Sequence, residues 1–422
     1  MRLWQTNPLE SITLVRGEGC RVWDTRGKSY LDLLSGCWCA VLGHGHPRLA
    51  EEIKKQADRL IHAGPPMLSE GVEEGLRKLA EILPPALDRT VFLNTGSEAV
   101  ELGLKMARAA TGADEIVVIE RSYYGATTYA YSLSESGRNV EWLPKVGRIT
   151  RIPAPHCRNC PAGARWPCGD FPCLGSLRDM VNSKQRTVAA VLFEPILANA
   201  GMIIPPIGYG ARLRDLSNKL GALLIAEEVT TGMGRTGRWF GYEHDCIVDM
   251  TDDSGHKTRA AIPDILILGK ALGGGLPVAA VATTAEVEAR CRGKLTHVQS
   301  HQNDPFSGHI AATVISILQE GKLVEQATEK GHYLLEELRN IQSRHAGTVE
   351  IRGRGLMLGI ELDHKYADAG VEIYQQLLEA GYIVNYQPHN AAFRLFPPYV
   401  ISQAELEEFL RTFENILMRQ IR

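Results

Sequence analysis

Leu223-Leu224-Ile225-Ala226-Glu227-Glu228-Val229-Thr230-Thr231-Gly232 and, further on, Pro263-Asp264-Ile265-Leu266-Ile267-Leu268-Gly269-Lys270 decide the fold. Each is a short apolar run that ends in charge, the first in two carboxylates and the second in one lysine. Runs of this kind read as buried strands, and in an open α/β sheet ligands gather at the carboxyl ends of the strands. A lysine at the end of a buried strand is costly unless it is neutralised, paired or covalently used. A Schiff base with a carbonyl cofactor is such a use.

Working outward, similar runs precede this pair. Ala189–Phe193 leads into Glu194-Pro195, and Glu115–Ile119 into Ser122-Tyr123-Tyr124-Gly125-Ala126-Thr127. Thr90–Leu93 leads into Asn94-Thr95-Gly96-Ser97-Glu98, followed by a helix-forming stretch Ala99–Ala110. A strand, a turn of small residues and a helix start present free N–H groups and a positive dipole end to an anion. An ordinary turn capped by Ser97 is the simpler alternative. An aromatic at 123 or 124 can stack on a flat ring, or lie in a surface loop. Alternating strands and helices over residues 90–290 predict an α/β fold with a mostly parallel sheet covered on both faces.

The two ends of the chain read differently. Residues 12–34 form a small β-meander, and Pro47 opens a helix over Arg48–Leu60, with another over residues 68–82. Beyond 310, long helices (Ala311–Glu320, Glu325–His345) precede strands at Val349–Gly353, Met357–Leu362, Tyr382–Asn385 and Phe393–Phe396, with helices at 368–380 and 402–420. The expected organisation is an N-terminal segment 1–65 belonging to a small domain, a large domain 66–310, and a C-terminal small α+β domain 311–422.

The 422 residues carry a formal net charge of -3, so no electrostatic footprint for nucleic acid exists. No apolar run is long enough to span a membrane, and the first residues lack a signal peptide's apolar core, which predicts a cytoplasmic protein. The nine cysteines are then no disulfide framework. Cys157-x-x-Cys160 with Cys168 and Cys173 could hold zinc or an iron–sulfur cluster, but the later spacing matches no common ribbon or knuckle. A Pro/Gly-rich loop with partly buried thiols is the plainer reading. His44 and His46, in a Gly/Pro loop, are expected to pack or hydrogen-bond rather than bind metal. The polar stretch His244–Thr258 reads as a surface excursion.

Together these blocks make the chain resemble the class III, fold-type I pyridoxal-phosphate (PLP) enzymes, chiefly aminotransferases, over almost its whole length. The residues that carry the resemblance are Leu42–Pro47, Asn94–Ala99, Ser122–Thr127, Glu194-Pro195-Ile196, Leu223–Gly237, Pro263–Pro277 and Arg394-Leu395-Phe396-Pro397-Pro398. Flanks such as Ser300-His301-Gln302-Asn303-Asp304-Pro305 are most similar to the branch containing dialkylglycine decarboxylase. The resemblance implies pyridoxal 5'-phosphate as cofactor, small amino and keto substrates, and a homodimer with shared active sites. It implies Lys270 as the Schiff-base lysine and catalytic base, Gly96 and Ser97 at the phosphate, and Tyr123 against the ring. Thr230 would lie by the ring hydroxyl, Glu227 at the ring nitrogen, Ser300 at the neighbouring subunit's phosphate, and Arg394 on the substrate α-carboxylate.

Three positions depart from the family pattern. Glu227 stands where Asp is usual, and its extra methylene must still reach a ring nitrogen; Glu228, its strand neighbour, faces the opposite way. Asn199 stands where several ω-amino enzymes carry a Glu that masks the substrate arginine, which favours α-amino acids here. Cys37 stands where the decarboxylase has an amide, which argues against decarboxylation. The expected activity is transamination. A racemase or epimerase, a lyase or decarboxylase, and a non-catalytic protein of the same fold are the rival readings.

Overall fold

The computed structural model describes residues 4, 6, 10, 12–144, 146–160, 163–164, 167–169, 171–183, 187–245, 250–251, 257–258, 262–345 and 347–421. Most of the polar stretch 244–258 lies outside these residues.

Seven strands build the central sheet, in the spatial order Arg89–Leu93, Ala279–Thr283, Ile265–Leu268, Leu223–Glu227, Val188–Phe193, Glu115–Ile119, Ile149–Ile152. Ala279–Thr283 runs antiparallel to both neighbours, and the remaining pairings are parallel. The sheet is therefore mostly parallel, as expected, with one reversed strand. Alternation along the strands divides the core in two. Leu223 and Ile225 pack with Leu104 and Ala107 of the helix Gly96–Thr111. Leu224 and Ala226 pack with Leu213 and Leu216 of the helix Tyr209–Leu220. The parity puts Glu227 on the side of the helix Gly96–Thr111, and Glu228 on the other.

The meander Leu14–Glu18, Arg21–Asp24, Ser29–Asp32 is extended by a strand from the far end of the chain, Tyr382–Ile383, parallel to Ser29–Asp32. A second small sheet, antiparallel throughout, orders Thr348–Arg354, Met357–Leu362, Ala392–Leu395 and Asn385–Gln387. The single strand expected at Tyr382–Asn385 is thus two, split at Val384 and belonging to different sheets. The helix Gly96–Thr111 starts three residues before the predicted Ala99, because Thr95 and Glu98 form a reciprocal cap: Thr95 Oγ1 accepts from Glu98 N–H, and Glu98 accepts from Thr95 N–H. Among the described residues no helix is long and apolar enough to cross a membrane.

Candidate active site

The strand ends Leu93, Ile119, Phe193, Glu227 and Leu268 open towards one cavity of about 280 Å³. Lys270 follows Leu268 by one extended glycine and begins a 3-10 turn with φ of +43°, a conformation uncommon outside glycine. Its Nζ donates to Thr230 Oγ1 at 2.7 Å. On another wall, the helix Gly96–Thr111 presents its first turn, where the N–H groups of Gly96 and Ser97 have no acceptor among the described residues. Gly96 is required there, since a Cβ would collide with Val229. Ser97 Oγ accepts from Ala126 N–H at 3.0 Å, which draws the 122–127 loop, and Tyr123 with it, against the same cavity.

Two carboxyls are buried in this cavity. Glu227 accepts from Val229 N–H, and burial and the neighbouring Glu194 push its pKa up to about 8. Glu194, at the end of Val188–Phe193, is raised to about 7 by burial, against hydrogen bonds from Tyr123 N–H at 2.7 Å and Ala198 N–H. Glu228 faces away, accepting from Thr231 Oγ1, Gly241 N–H and Tyr242 N–H, so it anchors a turn and cannot act in the cavity.

Arg394 arrives from the C-terminal sheet, on the strand Ala392–Leu395, and is buried. It donates to Asn385 Oδ1 at 2.8 Å, Asn199 Oδ1 at 3.0 Å and Ala198 O at 3.2 Å, all neutral acceptors. Burial lowers its pKa to about 10, which leaves it charged at neutral pH. Between it and the lysine stands Trp38: Lys270 Nζ lies 4.7 Å and Arg394 Cζ 4.8 Å from the indole centroid. Phe396 stacks on the same indole, with centroids 4.5 Å apart.

Of the residues predicted from sequence, Lys270, Gly96, Ser97, Tyr123, Glu227, Thr230 and Asn199 line the cavity, and Arg394 adjoins it through Asn199 and Trp38. Cys37 is exposed and lines the neighbouring cavity instead. Ser300 is exposed and does not enter this chain's cavity. Sequence reasoning passed over two residues. Trp38 was hidden in a loop whose shape depends on positive φ at Ser35, Gly36 and Trp38. Glu194 showed only as the charged end of an apolar run. His44 bonds Asp32 through Nε2 at 2.8 Å, as an ordinary structural histidine does. Cys157, Cys160, Cys168 and Cys173 are free thiols around one small cavity. Groups of potential ligands within 4.8 Å of one another, among the described residues, are His62–His301–Asp304 and His156–Glu350–Glu361.

The cavity fits a phosphorylated aromatic aldehyde. Free N–H groups at a helix start suit its phosphate, the Tyr123 face its ring, a buried carboxyl its ring nitrogen, and an amine its carbonyl.

Known proteins resemble the chain over nearly its whole length. The family described as "Aminotransferase class-III" matches residues 4–417. Acetylornithine aminotransferase of Methanopyrus kandleri is 33% identical over 96% of this chain and 94% of its own length. Ornithine aminotransferase 1 of Staphylococcus aureus is 32% identical, over 96% and 94% respectively. Among solved structures, an amine transaminase from an uncultivated Pseudomonas species with PLP bound superposes with a TM-score of 0.89, at 25% identity, covering 99% of each chain.

Proposed function

The chain belongs to the class III aminotransferase family and is a PLP-dependent aminotransferase, and from that premise we propose how its residues divide the work and which substrates they take. Bound PLP supplies a carbonyl that captures an amine covalently and a conjugated ring that accepts the charge left at Cα. Lys270 Nζ is the group that holds the cofactor at rest. As a free amine the same Nζ would take the proton from the substrate Cα and hand it on. Thr230 Oγ1, already its acceptor at 2.7 Å, keeps the amine aimed at the reacting side.

The first turn at Gly96 and Ser97 binds the phosphate, and Tyr123 covers the ring face. Glu227 holds the ring-nitrogen proton at its carboxylate. A carboxyl raised to about 8 by burial and by Glu194 would be a good acceptor for a cationic ring N–H. Glu194 is a positioning residue, fixing the backbone of Tyr123 on one side and of Ala198 on the other. Ser300, exposed in the single chain, is suited to a neighbouring subunit's phosphate, in a homodimer with shared active sites. Cys37, which lines the neighbouring cavity, is proposed as a substrate contact from that side. The domain boundaries proposed are 1–65, 66–310 and 311–422.

The substrate class proposed is α-amino acids, with a keto acid as the second substrate. The observation that carries it is Arg394, a buried guanidinium held only by neutral oxygens and so left with its full charge for a carboxylate. The relatives named above act, by their names, on ornithine and acetylornithine, which also bear an α-carboxylate. The test is a single turnover without a second substrate, run on wild type and Lys270→Ala. One keto acid per site is expected from α-amino acids in the wild type, with a rate about 10²–10⁴-fold lower in the variant from lost proton transfer alone. Turnover confined to amines without an α-carboxylate would overturn the substrate reading.

A further inference from the structure

A second cavity, of about 640 Å³, shares no lining residue with the active site. It lies where three segments meet: the turn Thr236–Trp239, the helix Leu323–Arg344 and the hairpin turn Gly353–Gly355. Glycines let these segments touch backbone to backbone. A Cβ on Gly331 would collide with Gly355 O, and one on Gly355 with the Thr236–Gly237 peptide. Thr328 Oγ1 adds a hydrogen bond to Gly237 O at 2.9 Å. The walls are therefore fixed rather than adjustable.

The polar groups on these walls are unmet. Arg238 and Arg354 are both half-buried, and neither makes a hydrogen bond or ion pair with a described residue. Thr236 is 2% exposed, and its Oγ1, closed off from the cavity, has no partner among the described residues. The nearby acids answer them only through space, Glu243 acting on Arg238 and Asp245 on Arg354 with no direct bond. Asp245 accepts from Gly208 and Gly210 N–H, and Glu325 is exposed at the rim. Glu243 lines the cavity without a direct bond to either arginine. His244 is held down to about 4 by burial and by Arg354 and Arg238, so it is neutral. Two adjacent half-buried guanidiniums bonded directly to no described acid keep their donors free, and a planar two-pronged donor pair matches phosphate oxygens. The volume exceeds that of a lone oxyanion, and Trp239 offers an apolar face for an organic body.

We infer that this cavity is a binding site for a small phosphate monoester, its phosphate paired with Arg238 and Arg354. The inference depends on none of the active-site roles. Occupancy would tie the turn that follows Thr230 and Thr231 to the hairpin whose Gly359 pairs with Arg394, so it links both sides of the active site.

The test uses holoenzyme, whose own phosphate turn is filled by cofactor, in titration calorimetry at constant ionic strength with inorganic phosphate and with adenosine monophosphate. One saturable site per chain is expected, with the monophosphate bound more tightly than inorganic phosphate. Arg354→Gln and Arg238→Gln are each expected to weaken it by about tenfold or more, with cofactor content unchanged. Should Arg354→Gln fail to fold, Arg238→Gln gives the readout. No saturable binding of either probe, or affinity unchanged in these variants, overturns the inference; tighter binding of inorganic phosphate overturns the monoester assignment.

Discussion

The guanidinium of Arg394 donates to Asn199 Oδ1 at 3.0 Å, a neutral bond at the mouth of the active site. Asn199→Glu would replace it with an ion pair inside the fold, and a substrate carboxylate would then have to displace a competitor. KM for α-amino acids is expected to rise about tenfold or more, the scale of one charge-assisted hydrogen bond, while amines lacking an α-carboxylate change little. The ratio of kcat/KM values for the two substrate types measures it, and an unchanged ratio would remove Asn199 from specificity.

Glu227→Asp restores the usual family residue but withdraws the carboxyl by one methylene from a site built around the longer side chain. Cofactor content should be retained, with turnover changed several-fold in either direction. Unaltered absorption spectrum and kinetics together would mean that Glu227 is not the ring-nitrogen partner.

Stability of the cofactor-free protein should fall as pH rises. Glu194 and Glu227 titrate near 4.5 in an unfolded chain and at about 7 and 8 in the fold. Below 4.5 both states hold the protons, so nothing is lost. Above it the unfolded chain releases them first, and stability drains away until the folded carboxyls ionise near 7 to 8. Urea midpoints between pH 5 and 8.5 should show that decline, and Glu194→Gln with Glu227→Gln should reduce it, leaving the part due to Glu228, which burial also raises to about 8.

Arg235→Lys should be severely destabilising although it keeps the charge. The Arg235 guanidinium, fully buried, donates to Leu356 O, Pro397 O and Ser35 Oγ, three segments from far apart in sequence. Lysine has no planar fork to serve all three. A loss of about 3–5 kcal/mol, or roughly 5 °C in Tm for a chain of this size, is expected by thermal denaturation.

Much of the large domain was legible because its strands are buried on both faces and so appear as unbroken apolar runs. Glu115–Ile119 and Ile265–Leu268 coincide with those runs residue for residue. Ala279–Thr283 escaped because alanines after a glycine-rich turn carry little strand character of their own; its place between two neighbours makes it a strand. Ile149–Ile152, at the sheet edge with Thr150 and Arg151 side by side between its isoleucines, is short enough to pass for loop. In the active site, Lys270 and Glu227 announce themselves as charges at the ends of apolar runs. Trp38 does not, since its position over Lys270 and Arg394 comes from backbone angles that no side-chain pattern records.

The parallel pairing of Leu31 with Tyr382 has a consequence for how the chain is made. The N-terminal meander leaves the ribosome early, but the strand that completes its sheet follows about 350 residues later. At roughly 10 residues per second that interval is about half a minute. During it the central sheet, all of whose strands lie before residue 284, can form on its own. The nascent N-terminus meanwhile exposes the unpaired edge of Ser29–Asp32, and this edge is where a chaperone would be needed and where truncation before residue 382 would leave an aggregation-prone chain.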